Sequence, residues 1–293
     1  MERRSSDQQP LIVIVGPTAS GKTSLAVELA MRHKGEIICV DSRTIYKHMD
    51  IGTAKPTNEE RALVPHWGLD LVEPGERFTA ADFKEYATLK IKEIRNRGHV
   101  PFLVGGTGLY VDAIIFDYVF GGEYNPELRA QLESMSVEDL HEYCDKNSIT
   151  LPENRHNKRY VIRAIEQKSI SSKRRMEPIG NTFIVGIATD REQLRLRIAE
   201  RTEQLFANGV VDEATLLGKK YGWNNEAMTG NIYRLAKSYL EGEFNLETYK
   251  EKFTTADWRL AKRQLTWLRR NPFIEWYTLT EAKNRIEAIL ANE

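Results

Sequence analysis

The run Gly16-Pro17-Thr18-Ala19-Ser20-Gly21-Lys22-Thr23 narrows what this chain can fold into more than any other stretch. It directly follows the apolar run LIVIV at residues 11–15, so its context reads strand, loop, helix. The spacing satisfies G-x-x-x-x-G-K-[ST]. Glycines let backbone amides wrap a phosphate chain, Lys22 adds a point charge, and the Thr23 hydroxyl stands where it can hold Mg²⁺. A helix starting near Lys22 turns the positive end of its dipole onto the same spot. Such a site favours a di- or triphosphate over a neutral ligand, and a plain Gly-rich turn is the alternative. The loop leaves open whether the phosphate is transferred, hydrolysed or expelled.

A short, wholly apolar strand of this kind belongs in a parallel sheet buried on both faces. The pattern then repeats: a helix over 24–33, a break at Gly35, and a strand over 36–40 that ends at Asp41-Ser42. After an irregular stretch at 42–75 come a helix to about residue 97 and a strand over 100–104, ending in Gly105-Gly106-Thr107-Gly108. Thr79 opens that helix with Asp82 three residues on, and Phe78 and Phe83 occupy the positions of a hydrophobic staple. Ligands of such sheets bind beyond the carboxyl ends of the strands, so Asp41 and Thr107 are expected beside the phosphate loop. The irregular stretch, with MDIGTAKP at 49–56 and Pro65-His66, reads as substrate-facing loops.

Asn125-Pro126 is an N-cap followed by a first-turn proline, and it begins a charged, mostly helical region. Strand character returns at 181–189. Helices are expected over 191–207, 211–221, 225–241 and 246–270, then a strand at 273–278 and a last amphipathic helix. The expected fold is α/β: a P-loop NTPase-like parallel sheet core at 11–123 and 176–293, a mostly helical inserted lobe at 124–175, and a flexible arm at 1–10.

With 293 residues, 41% of them hydrophobic, the chain can bury a sizeable core. Its two cysteines, Cys39 and Cys144, lack C-x-x-C or finger spacing, which points to a reducing compartment. No apolar run reaches the length of a signal or membrane segment, so a cytoplasmic protein that meets no membrane is expected. The 42 Lys and Arg balance 42 Asp and Glu, and only local clustering can therefore point to nucleic acid. Two clusters do so, at 151–175 and 252–270; the second contains a single acidic residue, Asp257. Tyr160, Trp258 and Trp267 are interleaved with them, a composition suited to a phosphodiester backbone with stacked bases. Basic side chains snorkelling around a tryptophan core are the alternative.

Asp41 is the first candidate for proton acceptance or for holding a metal-bound water, against a role as a helix cap. Thr107 could bind an anion or cap the helix that follows it. Arg197 and Arg201, four apart on one helix face, could reach the phosphate site together or stay solvated. His66 has no partner at metal-ligand spacing and reads as a structural or surface histidine.

Taken together, GPTASGKT at 16–23, DSRTIY at 41–46, MDIGTAKP at 49–56, Pro65-His66, FTAADF at 78–83, VGGTGLY at 104–110, RAIE at 163–166 and AKRQLTW at 261–267 cover the chain from end to end. On these motifs it resembles the bacterial tRNA dimethylallyltransferases, also called tRNA isopentenyltransferases. A simple phosphate-loop kinase would share only the first.

The resemblance implies transfer of a dimethylallyl group from dimethylallyl diphosphate to N6 of an adenine in the anticodon stem-loop of tRNA, with pyrophosphate leaving. It assigns proton acceptance to Asp41 and places Thr107 at the reacting pair. Arg201 with Gly16, Thr18, Ala19, Ser20, Gly21, Lys22 and Thr23 would hold the pyrophosphate, and Thr23 would hold Mg²⁺. Asp41, Ser42, Arg43, Thr44, Thr107, Arg129, Arg159, Arg163, Lys262, Arg263 and Gln264 correspond to tRNA-contacting positions, and a monomer is implied. The sequence departs from the family pattern at Tyr160, Asn231, Asp257 and Trp258, positions expected on the tRNA side. A transferase acting on free adenine nucleotides, a small-molecule P-loop kinase and a non-catalytic RNA-binding protein are the competing readings. The basic lobe argues against the first.

Overall fold

The four apolar runs become neighbouring strands of one sheet in the computed structural model, which describes residues 9–120, 125–166 and 174–291. Residues 1–8 of the arm expected at 1–10, and the parts of the expected insertion at 124 and 167–173, lie outside the described residues. The strands are β1 (Leu11–Val15), β2 (Gly35–Val40), β3 (His66–Trp67), β4 (Val100–Gly105), β5 (Thr182–Ile187) and β6 (Glu275–Tyr277). They lie in the order β3-β2-β4-β1-β5-β6, and every pairing is parallel. All residues of β1, β2 and β4 are buried, which is why these strands read as apolar runs and not as alternations.

The register sets up the site. Gly105 lies opposite Val15 on one side and Val40 on the other. Strands β1, β2 and β4 therefore end level, and the residues that follow them leave the sheet along one edge.

Helix α1 (Lys22–Arg32) packs its apolar face, including Leu25, Leu29 and Ala30, into the main core with Ile12, Ile14 and Phe102. Next come α2 (Asn58–Leu63), α3 (Ala80–Asn96) and α4 (Gly108–Ile115). The start of α3 is the expected capping box: the Thr79 side chain accepts from the Asp82 amide and Asp82 accepts from the Thr79 amide. Helices α5 (Pro126–Ser134), α6 (Val137–Lys146) and α7 (Lys158–Glu166) enclose a small core of their own, with Leu132, Leu140, Cys144, Val161, Ile162 and Ile165 buried. The chain is completed by α8 (Arg191–Ala207), α9 (Val210–Tyr221), α10 (Asn231–Leu240), α11 (Leu246–Leu268) and α12 (Leu279–Ala291).

Compactness divides the chain into one unit up to Ile115 and from Pro178, and a second over Phe116–Glu177. The second unit thus begins before residue 124. Within it the Arg175 amide donates to the Phe116 carbonyl at 2.7 Å, so its two ends are already joined there.

Two expectations need correction. The loops at 42–75 contain α2 and β3, elements too short to show a period. The single helix over 225–241 is broken: a 3₁₀ turn at Ala227–Thr229 and an extended Gly230 (φ −54°, ψ 145°) precede α10.

Candidate active site

The phosphate loop leaves β1 and enters α1 through Gly21, whose φ of 88° lies in the left-handed region. A Cβ there would also sit 2.9 Å from Leu279 Cδ1, a contact the leucine side chain could relieve, so it is the left-handed φ that calls for glycine. Ala19 adopts φ 60° without being glycine, and its methyl group packs against Leu194, Ile198 and Ala261 on α8 and α11. That contact holds the strained turn in place. The loop is further tied by the Thr18 amide, which donates to Gln264 Oε1 at 2.8 Å. No side chain caps the start of α1, which leaves its first-turn amides for an anion. The Ser20 hydroxyl is buried without a hydrogen-bond partner in the same turn.

Three cations surround the loop. Lys22 Nζ donates to the Pro17 carbonyl at 3.1 Å. Enclosure pulls its pKa down to about 8, with Asp41 opposing the shift and Arg201 adding to it. Arg197 Nη1 donates to the Ser20 carbonyl at 3.3 Å. Arg201 Nη1 donates to the Thr18 hydroxyl and stands 3.5 Å from Asp257 Oδ2. The two arginines spaced four apart therefore do arrive together, because α8 runs alongside the loop.

Asp41 and Thr107 emerge from the level ends of β2 and β4. Asp41 Oδ1 accepts from the Arg43 amide at 2.8 Å, which fixes the carboxylate. Thr107 Oγ1 accepts from the Ser42 amide at 3.2 Å, so the hydroxyl bridges two strand ends and leaves its own hydrogen to donate. The Arg43 fork donates to the Glu226 carbonyl (2.7 Å) and the Thr229 hydroxyl (3.1 Å), and the Thr44 hydroxyl to the Asp41 carbonyl (3.4 Å).

Residues 18–24, Asp41, Ser42, Arg43, Thr44, Thr107 and Arg201 line one cavity of about 560 Å³. The phosphate loop, Asp41, Thr107 and Arg201 form its polar part; Val104, Ile232, Tyr233, Phe253 and Leu260 supply apolar and aromatic surface. The loop at 49–56 contributes Gly52, Thr53, Ala54 and Pro56. Two ionic anchors hold that loop. Glu213 of α9 accepts from the amides of Asp50 (2.8 Å), Ile51 (2.7 Å) and Gly52 (2.8 Å) and from the Tyr233 hydroxyl (2.8 Å). Lys55, its side chain only 1% exposed, donates to the Tyr46 carbonyl, Asp50 and Asp70 at 2.6–2.7 Å.

Of the residues assigned to tRNA by resemblance, Lys262 and Arg263 are exposed on α11, whereas Gln264 is bound to the phosphate loop. Arg159 and Arg163 are exposed in the smaller unit. Arg129 in that unit is engaged by Glu133 (2.7 Å) and Glu166 (3.0 Å), joining α5 to α7. His66 Nδ1 pairs with the Val64 carbonyl at 2.8 Å, a structural setting.

Both tryptophans of the second basic cluster serve packing. Trp258 lies against Leu194, Ile198 and Ala261, with the Arg195 guanidinium 4.8 Å from its ring centre. The indole of Trp267 presses on Gly108 and donates to Asp112 Oδ2 at 2.7 Å. Asn231 and Asp257, expected on the tRNA side, line the cavity. The solitary acid in a run of basic residues was the signal for Asp257. Asn231 was marked only as a departure from the family pattern; it stands at the first position of α10, directly after the extended Gly230.

The family model described as IPP transferase matches residues 44–271, and that described as isopentenyl transferase matches residues 9–65. The tRNA dimethylallyltransferase of Bacillus licheniformis is 40% identical over 290 residues, spanning 94% of this chain and 92% of that one. The crystal structure of the tRNA isopentenylpyrophosphate transferase of Bacillus halodurans superposes with a TM-score of 0.74 at 36% identity, covering 97% of both chains. That of the tRNA delta(2)-isopentenylpyrophosphate transferase of Staphylococcus epidermidis gives 0.72 at 32% identity, covering 96% of this chain and 98% of the other. With its phosphate loop, its strand-end aspartate and threonine and a match along nearly its whole length, the chain belongs to the tRNA dimethylallyltransferase family.

Proposed function

We propose that this protein transfers a dimethylallyl group from dimethylallyl diphosphate to N6 of the adenine next to the anticodon of tRNA and releases pyrophosphate. The observation that carries this reading is the joining of an anion cradle, a carboxylate, a hydroxyl and an apolar wall in one cavity. A phosphate loop alone would serve many reactions. An apolar wall beside it suits a short hydrocarbon attached to the diphosphate.

The exocyclic amine of adenine is a poor nucleophile because its lone pair is delocalised into the ring. Position and a proton acceptor are what it needs. N6 attacks the allylic C1, the C–O bond breaks, and its electron pair leaves with the pyrophosphate. Asp41, oriented by the Arg43 amide, takes the proton from N6. Thr107, held by the Ser42 amide, has a hydrogen to donate at the reacting pair. Lys22, Arg201 and the amides of the loop meet the charge that grows on the leaving group.

Among the described residues no cluster of three or more His, Cys, Asp or Glu could hold a metal. What the chain offers is the Thr23 hydroxyl in the first turn of α1. That donor set fits Mg²⁺, which takes most of its oxygens from phosphate and water, and Mg²⁺ would neutralise the diphosphate there. The target base has to leave the anticodon stack, at a cost of about a few kcal/mol that basic contacts from Lys262, Arg263, Arg159 and Arg163 would offset. A monomer is sufficient for all of these roles.

Incubation with labelled dimethylallyl diphosphate and either tRNA or free adenine nucleotides, followed by mass spectrometry of the nucleosides, tests the reading. Label is expected on tRNA adenine with wild type and on nothing with Asp41→Ala, whose tRNA affinity changes little. Label on free nucleotide alone, or full activity of Asp41→Ala, overturns it.

A further inference from the structure

A carboxylate in a cavity built for an anion raises the energy of that anion unless its charge is already committed to a cation. Asp257 is in that situation. It is 5% exposed, lines the cavity together with Asn231, and stands 3.5 Å from Arg201 Nη1. A buried carboxylate of this kind is tolerated only when paired and hydrogen-bonded.

Arg201 reaches across from α8 on a long side chain with many rotamers, and a planar guanidinium binds phosphate well only when its plane is fixed. Here Nη1 is held between the Thr18 hydroxyl and Asp257. We infer that Asp257 is the positioning residue that holds the Arg201 fork at the phosphate loop for a diphosphate. This rests on reading the cavity as a diphosphate site.

The charged groups that act on Asp257 are Arg201 on α8 and Asp41 at the end of β2. Burial raises the pKa of Asp257, the Arg201 charge and the Asn231 hydrogen bond oppose that rise, and Asp41 adds to it. Arg201 is therefore the cation through which Asp257 acts, and a direct contact between Asp257 and a diphosphate would be repulsive.

The test measures inorganic pyrophosphate affinity by calorimetry in Mg²⁺ buffer, and kcat and KM for dimethylallyl diphosphate. The proteins are wild type, Asp257→Asn, Asn231→Ala, Arg201→Met and the Asp257→Asn/Arg201→Met double variant. Asp257→Asn is expected to weaken pyrophosphate binding about tenfold, the scale of one charge-assisted hydrogen bond, and to raise KM. Asn231→Ala leaves both charges in place and is expected to weaken binding less, in the same direction, which keeps the test open if Asp257→Asn misfolds. In the Arg201→Met background the Asp257 change should have no further effect, because the residue acts through the missing fork.

Equal losses with and without Arg201 would mark a merely structural residue and overturn the inference. Tighter binding by Asp257→Asn would do so as well, since it would show plain repulsion. Unchanged binding by a folded Asp257→Asn overturns this inference alone. A wild-type protein that does not bind pyrophosphate overturns the diphosphate reading with it.

Discussion

Lys22 shows how much a single side chain takes from its surroundings. Enclosure in the loop lowers its pKa to about 8 from a usual 10.5, the nearby Arg201 adds to the shift, and Asp41 only partly opposes it. A bound diphosphate favours the ammonium form. Affinity for dimethylallyl diphosphate, whose own ionisations are complete by then, should therefore fall as pH rises above about 8, with proton uptake on binding. Calorimetry at pH 8.5 in two buffers of different ionisation heat measures that uptake, and Lys22→Arg should abolish it. The folded-state value lies below the unfolded one, so the empty protein gains stability as pH rises from about 8 towards 10.5, the opposite trend to that of binding. The placement of Lys22 and Thr23 at the start of α1 was legible from motif spacing, and that of Asp41 from its place at the end of an apolar strand. The pairing of Arg201 with Asp257 was not, because it joins residues far apart in sequence on two helices that meet only in the folded chain.

Elements were legible where local chemistry specifies them. The Thr79 capping box and the Asn125-Pro126 helix start are written in adjacent residues, and both appear as read. Strand β3 has two residues and joins the sheet only through Ile37 and Ile38 of β2, a tertiary fact with no periodic trace. The loop at 49–56 is a similar case. Its irregular sequence hides an ordered element whose amides at 50–52 are gathered by Glu213 of α9. Glu213→Ala leaves those donors without their acceptor and should cost on the order of 2 kcal/mol in urea unfolding. Hydrogen exchange should quicken at Asp50, Ile51 and Gly52, and KM for the allylic diphosphate should rise as the cavity wall loosens. Unchanged exchange at those amides would refute the anchoring role.

For the whole molecule, equal totals of acidic and basic residues mean that any RNA affinity arises from local arrangement. Binding of an anticodon stem-loop should weaken steeply with salt, and Lys262→Ala should reduce the slope of log K against log salt by about 1. Lys92→Ala on α3, outside both basic clusters, serves as the control and should leave the slope unchanged; filter binding across a salt series reads both. Among the described residues no helix is long and apolar enough to cross a membrane.

The sequence by itself determined the glycine-rich loop proposed as a diphosphate cradle, the buried parallel strands and the residues at their ends, because these depend on short-range spacing and on burial that leaves a continuous apolar trace. Tertiary structure decided what surrounds the cradle. Level strand ends bring Asp41 and Thr107 to the loop, the start of α10 places Asn231 on the cavity, and two packed helices bring Asp257 to Arg201. Those contacts depend on register and helix packing, and neither is set by residues close in the chain.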